Sequence, residues 1–186
     1  MNARFGLLLC LFVADAVADP PGQAQRVVAA ARAQVGVTLR YDGSYRRLAY
    51  PDGDVPMDTG VCTDVVVRAL RNVGIDLQRA IFADRTAHRA RYARTPIDRN
   101  IDHRRVPNLR IWFSHHAVSM APDDPAHVYA AGDIVSWKLP GNLDHIGIVS
   151  DRRIGARPLI LHNIGRGTRE EDVLLAWTIT GHYRLR

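Results

Sequence analysis

The sequence predicts an α+β fold, with helices in the first half and an antiparallel sheet in the second. Three observations carry this. Apolar residues recur at helical spacing in residues 22–35 and again in 62–73. After Gly132 the pattern changes to short β-branched runs separated by tight turns. Helices followed by a run of strands, rather than alternation of the two, is the α+β order. The 186 residues suffice for one domain with a sizeable core.

Residues 1–18 read as a secretory signal peptide. Arg4 supplies the positive n-region, residues 5–13 the apolar h-region, and Ala16-Val17-Ala18 a small-residue cleavage site. The span is too short to cross a membrane, and no later apolar run is long enough. The expected mature domain is 19–186, periplasmic or secreted. Cys10 leaves with the signal, so Cys62 is the one mature cysteine. A single leftover cysteine in an exported protein points to a free thiol or an intermolecular bridge, not to a disulfide framework. The formal charge is +6, and 24 of the 25 Lys and Arg residues are Arg. Export argues against nucleic acid and for anionic envelope polymers as partners of this basic surface, which otherwise serves solubility.

Residues 22–35 form the first expected helix, with Val27, Ala30, Ala31 and Val35 on one face and Gly36 after it. Residues 37–61 are irregular, with turns at Asp42-Gly43 and Pro51-Asp52-Gly53. Tyr41 and Tyr50 in this loop are candidate substrate contacts, or half-buried packing residues. Residues 62–73 form the second helix, whose stripe of Val65, Val66, Ala69, Leu70 and Val73 marks it as buried. Cys62 stands at its first turn, where the helix dipole favours a thiolate. Two readings of Cys62 stand side by side: a nucleophile, or a buried structural thiol. Asp64 either complements the dipole or contributes to a site.

Residues 77–94 are expected to be an arginine-rich helix, and 107–118 another. Adjacent His115 and His116 point to different faces, with no third ligand at metal spacing. No metal or cofactor is expected. Residues 123–131 read as a loop. Strands are expected at 134–137, 144–150 and 157–164, mixed signals at 170–179, and a closing strand at 181–185. His145 opens the second strand and His162 closes the third. Paired as antiparallel neighbours, they face one side near one edge, and a helix docked on that side brings Cys62 to them. Cys, His and a polar third group is the constellation of thiol nucleophilic catalysis.

Gly60-Val61-Cys62-Thr63 resembles the cysteine-bearing helix start of the NlpC-type cell-wall peptidases, in the papain-like superfamily. Ala131-Gly132-Asp133-Ile134-Val135 with Asp144-His145-Ile146-Gly147-Ile148-Val149 resembles the strand pair that carries that family's catalytic histidine, and His162 matches its polar third residue. The chain also resembles, over nearly all its mature length, a family of exported bacterial proteins known as a domain of unknown function. That pattern runs through Tyr50-Pro51-Asp52-Gly53-Asp54-Val55-Pro56, through Gly60 to Leu70, and through Asp98-Arg99-Asn100-Ile101-Asp102-His103-Arg104. The resemblance to the peptidases implies a papain-like fold and amide hydrolysis in peptidoglycan stem peptides. Cys62 is then the nucleophile, His145 the general base, and His162 the residue that holds His145. The Cys62 backbone N–H helps to stabilise the oxyanion, and Tyr41, Tyr50 and Asp64 are the candidate substrate-binding residues. The family's Asp-Cys-Ser-Gly is here Val61-Cys62-Thr63-Asp64, and 75–131 has no clear counterpart. Both departures bear on the substrate more than on the fold. Two other classes fit the same fold: a catalytically silent envelope-binding domain, and a thiol acyl or peptidyl transferase.

Overall fold

A computed structural model describes residues 22–121 and 128–186. The expected signal peptide, and most of the expected 123–131 loop, lie outside the described residues.

The first half supplies the helices. Helix α1 is Gln23–Arg32 and α2 is Cys62–Arg71, lying side by side. Between them, β1 (Arg40–Tyr41) and β2 (Thr59–Gly60) make a short parallel pair inside the stretch expected to be irregular. Helix α3, Leu77–Ala87, is capped by Asp76, whose carboxylate accepts from Gln78 N and Arg79 N at 3.1 and 3.3 Å. It stops short of the expected residue 94. The Arg85 guanidinium donates to Ala93 O and Thr95 O at 3.3 and 3.2 Å, which folds the following chain back over the helix. Helix α4 is Val106–His116.

The second half is a six-stranded antiparallel sheet. Its strands are β3 (Val118–Met120), β4 (Ile134–Leu139), β5 (Leu143–Ile154), β6 (Arg157–Asn163), β7 (Thr168–Glu171) and β8 (Thr178–Arg184), in the order β3-β8-β4-β5-β6-β7. The ambiguous 170–179 stretch divides into the end of edge strand β7, a turn, and the start of β8. Strand β3 was missed because it is three residues long and follows α4 directly.

Both faces of this sheet are buried. One face lies under the helices, where Ile134, Ile146, Ile148 and Leu161 join Val27, Val28, Val65, Val66, Ala69 and Leu70 in the main core. The other face carries a smaller cluster of Val135, Trp137, Val149, Ile160 and Leu174. Leu70 is fully buried, so its truncation to alanine would cost about 2–5 kcal/mol. At Gly167 the backbone has φ +80°, and a Cβ would meet Thr38 O at 2.3 Å. Only glycine lets the β6–β7 turn lie against the chain leaving α1.

Candidate active site

Cys62 begins α2, and local chemistry fixes that start. The Asp64 carboxylate turns back to accept the Val61 N–H at 2.6 Å, which satisfies one of the donors a helix start leaves free. Arg104 then clamps Asp64 through both oxygens, each at 3.0 Å, and donates to Asp42 O and Ser44 O. Asn163, at the end of β6, donates to Gly60 O at 3.0 Å and ties the helix start to the sheet.

The N–H of Ile146 faces the Cys62 sulfur, so the sulfur meets β5 one residue beyond His145. On the strand, His145 alternates with Ile146 and Ile148, and therefore lies on the face opposite the main core. Its ring tilts against Trp137, its cross-strand partner, at 5.8 Å between centroids. The expectation that α2 packs on the face carrying His145 is corrected by this: the helix covers the other face, and its first residue meets the strand at Ile146. His162 shares the face of His145, and its Nδ1 lies 2.8 Å from His145 Nε2. Its Nε2 lies 3.1 Å from Glu171 Oε2. Trp177 stands edge-on to His145, with centroids 5.7 Å apart, and tilted to His162 at 6.3 Å. The Trp137 indole N–H donates to Leu174 O at 2.9 Å, anchoring the turn that carries Trp177.

Burial dominates the electrostatics. Cys62 is 4% exposed, His145 2% and His162 1%. Desolvation pushes the Cys62 thiol up to about 12, although the N–H groups of Ile146, Thr63 and Cys62 favour the anion. Desolvation, and then the charge of His162, push His145 down to about 3. Burial also lowers His162, against the pull of Glu171. At rest both groups are neutral, one a thiol and the other an imidazole. The thiolate expected from the helix dipole is not the resting state, because removing the sulfur from water outweighs the amide donors.

A cavity of about 250 Å3 is lined by Cys62 together with Tyr41, Gly43, Val61, Arg104 and Asp144, among others. Tyr41 stands there half-exposed. Desolvation and the neighbouring Cys62 and Asp64 raise its phenol to about 12, which keeps the hydroxyl a donor. Tyr50 is elsewhere. It packs edge-on against Phe82 at 5.4 Å, under the Arg99 guanidinium, and does not line this cavity. Asp64 is buried at 3% exposure with its oxygens turned to Val61 and Arg104, so it supports the helix start and does not face the cavity. His116 pairs with Asp84 at 3.1 Å and stacks on Trp112, while His115 is exposed. Among the described residues no cluster of three or more His, Cys, Asp or Glu is placed to hold a metal. No helix among them is long and apolar enough to cross a membrane.

Sequence reasoning missed Arg104, Glu171 and Trp177 as parts of this site. Arg104 lies in the stretch already singled out, at its last residue. Glu171 and Trp177 carried no signal, because their roles arise from strand register and turn placement.

This fold is papain-like, of the NlpC type. The solved structure of NlpC2 from Trichomonas vaginalis superposes with a TM-score of 0.50 at 13% identity, over 90% of this chain and 49% of that one. NlpC1 from the same organism gives 0.48 at 14% identity, over 89% and 45%. The chain thus spans about half the length of these solved structures. The chain belongs to the family described as a domain of unknown function (DUF1287), which it matches over residues 28–185. Uncharacterized protein YijF from Escherichia coli (strain K12) is 52% identical over 161 residues, covering 83% of this chain and 78% of YijF.

Proposed function

We propose that the chain is an exported thiol hydrolase of the cell envelope, cutting an amide bond in peptidoglycan stem peptides. The observation that supports this best is the contact of Cys62 with β5. The sulfur, at a helix start, faces the N–H of the residue after a histidine that is itself hydrogen-bonded to a second histidine. In this reading the substrate amide lies in the cavity over Cys62, with Tyr41 donating to it. The thiol gives its proton to His145 as the sulfur attacks the carbonyl carbon. The Cys62 N–H receives the oxyanion. On collapse the C–N bond breaks, and His145 protonates the leaving amine. Water, deprotonated by His145, then cleaves the thioester and returns the thiol. Because the resting pair is neutral, the proton moves in the attack step itself and is not already on the imidazole.

One observation favours a second reading. Cys62 is almost fully buried with its thiol pushed up to about 12, as suits a silent envelope-binding domain on this fold. Digestion of purified peptidoglycan, with mass analysis of the fragments, separates the two. An added free amine tells hydrolysis from transfer: a hydrolase yields the free acid, and a transferase the new amide. Intact sacculi after prolonged incubation would favour the binding domain.

A further inference from the structure

We infer that Glu171 is a positioning residue that fixes the proton positions of both imidazoles, and thereby makes His145 Nδ1 the base nitrogen. The inference rests on the hydrolase reading for the word base, but its geometry stands alone. In the β6–β7 ladder His162 pairs with Arg169 and Ile160 with Glu171, so Glu171 is the diagonal neighbour of His162 on the same face. Its Oε2 lies 3.1 Å from His162 Nε2, and His162 Nδ1 lies 2.8 Å from His145 Nε2.

A carboxylate only accepts hydrogen bonds, whereas a neutral imidazole has one donor and one acceptor. His162 therefore carries its proton on Nε2 to meet Glu171. Its Nδ1 is then an acceptor, and the 2.8 Å contact requires His145 to donate from Nε2. The single proton of His145 is thereby placed, and its Nδ1 keeps a lone pair. Without the carboxylate the pair is free to invert. His162 would donate from Nδ1, His145 Nε2 would accept, and the proton of His145 would sit on Nδ1, where it blocks the base. Glu171 also places negative charge at the end of the chain along which positive charge appears when His145 takes the thiol proton.

The charged groups facing Glu171 leave this role open to it. Arg169 Nη1 is 4.0 Å from the other oxygen, Oε1. Glu171 lies in the wall of a cavity of about 570 Å3, to which Arg152, Arg166 and Glu170 also contribute. Glu170 is engaged by Arg32 and Arg152 at 2.7 and 2.9 Å. The wall supplied by the turn after α1 presents only Val35, Gly36, Thr38 and Leu39, none of which titrates.

The test is a long-range 1H–15N spectrum of the histidine rings in the mature protein, which reads each tautomer directly, together with the rate of peptidoglycan digestion. Wild type should show His145 and His162 both protonated on Nε2. Glu171→Ala should move the His145 proton partly or wholly to Nδ1, and lower kcat about tenfold or more with KM unchanged. Glu171→Gln, whose amide oxygen still accepts, should keep the wild-type tautomers. A wild-type His145 protonated on Nδ1, or tautomers unchanged in Glu171→Ala, would overturn the inference. If the alanine variant does not fold, the wild-type and Glu171→Gln spectra decide. If wild type digests nothing while its tautomers are as stated and respond to Glu171→Ala, the hydrolase reading falls and the role of Glu171 stands.

Discussion

The backbone N–H of Ile146 faces the sulfur of Cys62. The peptide that makes this contact is the one that joins His145 to Ile146. A helix start from the first half of the chain and a strand start from the second are thus joined at one backbone group. The residue on the near side of that peptide is His145, the general base of the proposed mechanism. Around this group Asp64 and Arg104 hold the helix start, Asn163 holds the loop before it, and His162 contacts the imidazole.

Alkylation of Cys62 should report the neutral pair. With the thiol raised to about 12 by burial, the folded protein should react slowly with iodoacetamide at pH 6–7. The rate should climb about tenfold per pH unit above that, following the thiolate fraction. Fast alkylation at pH 6 that vanishes in His145→Ala would instead show a preformed thiolate–imidazolium pair.

The Asp64–Arg104 pair should carry much of the stability of the site. Both side chains are nearly inaccessible, at 4% and 2%. Arg104→Ala leaves a buried carboxylate without its partner, which should cost about 3–5 kcal/mol in urea denaturation. A loss below about 1 kcal/mol, the range of exposed pairs, would show that the carboxylate finds other partners.

How much of this was legible in the sequence depends on sidedness. The apolar stripe of α2, the runs that became β4, β5 and β6, and the nearness of His145 to His162 all follow from periodicity. Which face the helix covers does not. Ile146, Ile148 and Leu161 on one side are matched by Val149 and Ile160 on the other, so both faces look equally apolar. Alternation says which residues share a face, but in a sheet covered on both sides it does not say which face meets the helices. The lowered thiol pKa failed for a related reason: a helix start is visible in sequence, but its depth of burial is not. Glu171 depends on the β6–β7 register, which the Ile164-Gly165-Arg166-Gly167 turn leaves unmarked.

Acid should destabilise the fold through its buried histidines. Burial, with Arg71 and Arg104 nearby, pushes His103 down to about 4, and His145 is held at about 3. Their folded values lie below the ordinary 6.5, so the unfolded chain binds more protons below that pH. Stability is therefore present above about 6.5 and is lost as pH falls toward 4 and 3. At pH 5 each group should cost about 2 kcal/mol. His103→Gln should narrow the difference in unfolding free energy between pH 7 and pH 5 by that amount, and an unchanged difference would show that His103 is protonated in the folded protein.

Gly147 should tolerate no side chain. A Cβ there would meet Ile160 Cγ2 at 2.8 Å and His162 Cβ at 3.1 Å. Gly147→Ala should cost about 1–3 kcal/mol by overpacking and displace His162 from His145. Thermal melts and digestion rates check both effects. A variant as stable and as active as wild type would show that β6 yields without disturbing the pair.

The role of Cys62 as nucleophile of an amide-cleaving reaction is put to the test by comparing peptidoglycan digestion by wild type with that by Cys62→Ala. Wild type should release stem-peptide fragments with a new amine and a new carboxyl end, and a folded Cys62→Ala protein should release none. The same fragments from Cys62→Ala would contradict it.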